Sequence, residues 1–80
     1  MELKDTIELM CSDSYIERFK AEYYQTKVRY QKLHTLLVKY DAKTLDFDPT
    51  NIELLREQKK YMGKYLYVLE VRAEKERIKL

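Results

Sequence analysis

The chain has little with which to bend. Its 80 residues contain one glycine, one proline and no tryptophan. A domain of many short strands needs turn residues at each reversal, so this scarcity excludes an ordinary all-β fold and favours long uninterrupted helices. Cysteine is limited to Cys11 and histidine to His34, so there is no intrachain disulfide and neither a Cys/His pair nor a metal cluster within one chain. One glycine is too few for a phosphate-binding loop. No apolar run approaches the roughly 18 residues that span a bilayer. The opening MELKDTIELM mixes acids with apolar residues, unlike a signal peptide. A dominant charge is missing too: 16 basic and 14 acidic residues leave a net charge of +2, too balanced for nucleic-acid binding by bulk electrostatics. Any anion site must be local. The expectation is a non-enzyme of the reduced cytoplasm with no metal, cofactor, membrane, DNA or RNA partner.

What is present is helical. Charged residues make up 38% and hydrophobic residues 45%, which suits helices with a solvated face and argues against disorder. Ser14-Tyr15-Ile16-Glu17 has the form of a capping box, and Thr50-Asn51-Ile52-Glu53 repeats it. A first long helix is expected over 14–40, with Ile16, Phe19, Tyr23, Thr26, Tyr30, Leu33, Leu37 and Tyr40 as its seam in steps of three and four. It would be on the order of 40 Å long. Residues 41–50 hold the proline and form the turn, and a second helix follows over 51–78. A short N-terminal helix over 3–11 is expected to dock through Leu3, Ile7 and Met10. The whole of 1–80 is thus one all-α domain, an antiparallel two-helix hairpin with a short N-terminal helix.

The second helix carries more apolar surface than one partner can cover. Leu55, Gln58, Met62, Tyr65, Leu69 and Arg72 form one seam, and Leu54, Tyr61 and Val68 form a stripe beside it. A lone hairpin also offers too little core to offset the entropy of ordering it, so a symmetric oligomer is expected.

Eight tyrosines interleave with basic residues, as in FKAEYYQTKVRYQK and KKYMGKYLY. Two readings stand. Tyrosine can stack on a nucleobase while Arg or Lys holds phosphate, or it can fill an interface with apolar area and a polar tip. Tyr15 and Tyr61 lie off the seams and suit a ligand. Arg18 and Arg56 sit in the first turns of the two helices, where free N–H groups already favour anions, and Lys59, Lys60 and Lys64 extend the second strip. The glycine, Gly63, falls inside that helix, where it costs roughly 1 kcal/mol relative to alanine. A neighbouring subunit or a bound nucleotide is expected to approach its bare backbone.

The stretches ERFKAEYYQTKVRYQKLHTLL and LLREQKKYMGKYLYVLEVR resemble phage anti-CBASS and anti-Thoeris signal sponges. The second helix of those proteins looks like L-L-x-x-Q-x-x-x-M-x-x-Y-x-x-x-L-x-x-R, onto which fall Leu54, Leu55, Gln58, Met62, Tyr65, Leu69 and Arg72. The chain is also similar to small proteins of gut phages related to a crAss-like phage product. The resemblance implies a hairpin assembled into a hexamer in the host bacterial cytoplasm. It implies binding of cyclic di- and trinucleotide immune signals, released intact. Arg56 and Arg18 match basic residues early in the family's two long helices, whereas no tyrosine precedes Tyr15 to match the one in the family's short N-terminal helix. The alternative is a structural or adaptor oligomer with no small-molecule ligand.

Overall fold

The computed structural model describes residues 1–80 and is all helical, with three α-helices and no strand. A 3-10 turn, Leu3–Thr6, runs into the single turn of α1, Ile7–Met10; the long helices are α2, Tyr15–Asp41, and α3, Pro49–Glu76. Ser14 caps α2, its hydroxyl accepting from the Glu17 N–H at 3.4 Å. The reciprocal half of the box is absent, because the Ser14 N–H donates to Ser12 Oγ at 3.0 Å. The start of α3 corrects the expectation more sharply. Asp48, not Thr50, is the cap, its carboxylate accepting from the Thr50 N–H at 2.9 Å. Pro49 then takes the first helical position, where a missing N–H costs nothing and the fixed ring angle already suits a helix.

Both long helices stop in the same way without glycine. Lys43 and Arg77 adopt left-handed backbone at φ 62° and 58°. After each, the chain folds back: Thr44 N–H reaches Lys39 O at 2.9 Å, and Ile78 N–H reaches Ala73 O at 2.8 Å, with companion bonds from Lys43 to Tyr40 and Arg77 to Glu74. This pattern satisfies carbonyls that a helix end leaves unpaired. At the second stop it also tucks Ile78 into the core beside Ala73.

The polar contacts between α2 and α3 run in reverse order. Tyr15 reaches Glu76, Tyr23 reaches Glu70, His34 reaches Lys59, and Asp41 reaches Arg56. Between the helices lie two apolar clusters. Phe19, Tyr23, Leu66, Leu69, Ala73 and Ile78 form one near the termini, and Leu33, Leu37 and Ile52 form the other near the turn. On α2 the buried residues Phe19, Tyr23, Leu33 and Leu37 follow the expected seam, whereas Ile16 of that seam is exposed and Ala21, off it, is buried. On α3 the seam is one flank over. It runs through Ile52, Leu55, Lys59, Met62, Leu66, Leu69 and Ala73, while Gln58, Tyr65 and Arg72 face solvent. Leu55, Met62 and Leu69 belong to either track, and the helix turns its more apolar flank, with Leu66 and Ala73, inward.

Gly63 is approached closely from within the chain itself. A methyl group there would meet Cε2 of the Tyr30 ring at 3.3 Å. The N-terminal segment is also held differently from expectation. Ile7 and Met10 are exposed, and α1 buries no residue. Thr6 is the anchor: fully buried, its hydroxyl donates to Leu3 O at 2.7 Å and accepts from Gln25 Nε2 of α2 at 3.0 Å. A segment this short has little helical stability of its own, so it depends on that attachment.

Candidate functional site

The Tyr30–Gly63 approach forms part of the floor of a groove between α2 and α3 of about 480 Å³. From α2 come Tyr30, His34, Leu37, Val38 and Asp41; from α3 come Arg56, Lys59, Lys60 and Gly63. Helical spacing explains the gathering, since residues three, four and seven apart share a face. Three cations stand here against one carboxylate.

Each cation is held differently. Arg56 donates from both terminal nitrogens to the Asp41 carboxylate, at 3.2 and 2.5 Å. This pairing pulls the Asp41 carboxyl below its ordinary value, through the hydrogen bond from Arg56 first and the charges of Arg56 and Lys59 after it. The same bond raises Arg56, so both ends of the pair stay charged. Lys59 lays its stem along the core and brings its ammonium 2.7 Å from His34 Nδ1 and 5.7 Å from the centre of the Tyr30 ring. An ammonium can only donate, so in this contact the His34 ring nitrogen is the acceptor. Lys60 is exposed at the rim and forms no ion pair. The groove therefore offers one arginine in a displaceable surface pair, one lysine braced by an imidazole, and one free lysine, above an aromatic ring and a bare backbone.

The remaining sequence candidates lie elsewhere. Tyr61 and Lys64 are together, the ammonium 5.7 Å from the ring centre, and neither lines the groove. Arg56 and Gly63 are each two residues from Leu54 and Tyr61, a rotation of about 200° around the helix. Tyr15 and Arg18 are at the terminal end. The Tyr15 hydroxyl donates to Glu76 at 2.8 Å and accepts from Arg72 at 2.9 Å, which raises the Arg72 guanidinium. Those two bonds leave Tyr15 little capacity for a ligand. Arg18 donates to Ser12 O at 3.0 Å and borders a separate shallow depression with Met10, Glu22 and Gln25. Tyr30, His34 and Asp41 joined the groove without any signal in the sequence beyond their shared spacing on one face of α2. No group of His, Cys, Asp and Glu residues could hold a metal ion, and no helix is long and apolar enough to cross a membrane.

The groove and both long helices fall within the part of the chain that comparison recognises. A family model described as Sequestin matches residues 13–75, and the chain belongs to that family. No curated protein and no solved structure matches it.

Proposed function

We propose that this Sequestin-family chain is a phage anti-defence protein that binds cyclic di- or trinucleotide immune signals in the host cytoplasm and holds them without cleaving them. The observation that carries the reading is the groove, where Arg56, Lys59 and Lys60 face one carboxylate over the Tyr30 ring. The family name speaks for sequestration of a ligand, and the resemblance to signal sponges gives that ligand its chemistry. Phosphodiesters suit the cations, with the Arg56 fork as the bidentate partner once phosphate replaces Asp41. Bases suit Tyr30 and the imidazole of His34. The groove is lined by no serine, threonine or cysteine to attack a phosphodiester, which suits a sponge, since a ligand returned intact is the whole of its action. In this reading the two long helices form an antiparallel hairpin, and copies assemble into a homo-oligomer, a hexamer as in the sponges.

The test is a thermal-shift panel of cyclic di- and trinucleotides and cyclic ADP-ribose isomers, with chemical recovery of any ligand that binds. Stabilisation by at least one, recovered unchanged, is expected. Absence of a shift with all of them sinks the reading and leaves the structural or adaptor oligomer, which the exposed α3 stripe favours. Arg56→Ala should weaken binding about tenfold or more with the assembly unchanged. Asp41→Ala should tighten it, because the competing carboxylate is gone.

A further inference from the structure

We infer that α3 pairs antiparallel with α3 of a second copy of this chain, about a two-fold axis passing through Tyr61. The inference specifies the homo-oligomer of the reading above and does not rest on its ligand. Leu54, Tyr61 and Val68 are 61, 61 and 50% exposed and stand seven residues apart, one stripe along the helix. Their polar neighbours are already occupied within the chain, Tyr65 by Glu22 and Arg72 by Tyr15, whereas the stripe itself has no cover. Only 11 of 80 residues are buried in the single chain, so the stripe is apolar area the fold has yet to use.

Why a second copy covers it follows from the register. Leu54 and Val68 are equidistant from Tyr61. A two-fold axis there lays Tyr61 on its own counterpart and Leu54 of one copy on Val68 of the other. The same axis brings Glu57 of one copy within one residue's rise of Lys64 of the other, so these two flanking charges are complementary between copies. Parallel pairing in register would instead set Glu57 beside Glu57 and Lys64 beside Lys64, which is repulsive. Lys64 already lies over the Tyr61 ring, on the edge that the pairing needs. Arg56, Lys59 and Gly63 of the groove lie on the far side of α3 from Tyr61, with Lys60 at the rim between, so the groove stays open in the pair.

Single cysteines introduced into a Cys11→Ser background and treated with a short bis-maleimide test the register. Tyr61→Cys is expected to give cross-linked dimer by itself. Leu54→Cys alone and Val68→Cys alone are not, because their like positions would be about 21 Å apart along the helix axis, while an equimolar mixture of the two is. Self-linking of Leu54→Cys, or no linking of Tyr61→Cys, overturns the inference. Charge reversal provides a second readout by light scattering: Glu57→Lys should lower the mass, and Glu57→Lys with Lys64→Glu should restore it. Failure of the double variant to recover also overturns the pairing. These positions are exposed, so circular dichroism should show unchanged helix. Ligand shifts measured on the same variants separate the two ideas: a groove that still binds when cross-linking fails removes the pairing alone.

Discussion

The two ends of the paired long helices differ in what they do with polar groups. At the terminal end six residues are buried together, and tyrosine hydroxyls meet carboxylates: Tyr15 with Glu76, Tyr23 with Glu70, Tyr65 with Glu22. At the turn end the cluster is half that size, and beside it three cations share one carboxylate and one imidazole. Stability is concentrated where hydrogen-bonding capacity is spent, and binding capacity is left where it is not. Groups that must exchange partners with a ligand are better placed away from those that hold the fold.

Six substitutions break or sharpen this contrast. The largest effect is expected at Leu69, which is fully buried in the terminal cluster. Leu69→Ala should destabilise by about 3 kcal/mol, and Leu37→Ala at the turn end by less, within the roughly 2–5 kcal/mol range for such truncations. Urea unfolding at fixed protein concentration measures both, and equal losses would erase the distinction between the ends. Next is Tyr23→Phe, which removes the 2.7 Å bond to Glu70 and should cost about 1 kcal/mol. Burial first, and Glu70 after it, push the Tyr23 hydroxyl up to about 12 from 10.0. Its folded value lies above its unfolded one, so its contribution is complete below pH 10 and is lost as pH rises toward 12. Unfolding midpoints across that range should fall in the wild type and fall less in Tyr23→Phe.

The two helix stops supply an internal control, one at each end. Lys43→Gly and Arg77→Gly each relieve a left-handed non-glycine residue and should stabilise by roughly 0.5–1 kcal/mol after allowing for glycine's extra freedom when unfolded. Similar gains are expected at both, since the backbone geometry is the same; a gain at only one would show that the fold-back of Ile78 adds something the other lacks. The smallest effect belongs to Gly63→Ala. Helix propensity favours alanine by about 1 kcal/mol, and the Tyr30 ring at 3.3 Å opposes it. Tyr30 is half-buried with open space on either side, so the ring can yield, leaving a net gain of a few tenths of a kcal/mol. Thermal shift should then show a slightly more stable protein that binds the nucleotide panel less well, because the ring has moved into the groove. Unaltered binding would mean that the glycine serves only the Tyr30 contact.

The helical character of the chain was legible because local signals agree: few breakers, a serine cap before Tyr15, seams in threes and fours. The inward flank of α3 was not. Leu55, Met62 and Leu69 fit two tracks, and only docking against α2 separates Leu66 and Ala73 from Tyr65 and Arg72. The start of α3 was misplaced because two capping residues, Asp48 and Thr50, lie two apart and the proline was assigned to the turn when it opens the helix. Of the candidate site, Arg56, Lys59 and Lys60 were visible as neighbours on one helix. Their partners Asp41 and His34 are 15 and 25 residues away, and nothing local marks such a pairing. Tyr15 and Arg18 shared the residue types of a site but fold to the other end of the molecule.

The buried hydroxyl of Thr6 has a kinetic consequence. The segment before α2 is pinned by that side chain and its bond to Gln25, by Gln25 against Met10 and by Arg18 on Ser12 O, with Leu3 and Leu9 half-buried and no residue of α1 fully so. Releasing it exposes less apolar surface than parting the two clusters between α2 and α3, so the segment can lift away as a unit while those helices remain intact. Its amide hydrogens, from Asp5 to Ser12, should exchange with solvent through this local opening, far sooner than those around Leu69, which wait for the whole chain to unfold. The molecule thus has two clocks, a fast one at its leading edge and a slow one in its terminal cluster.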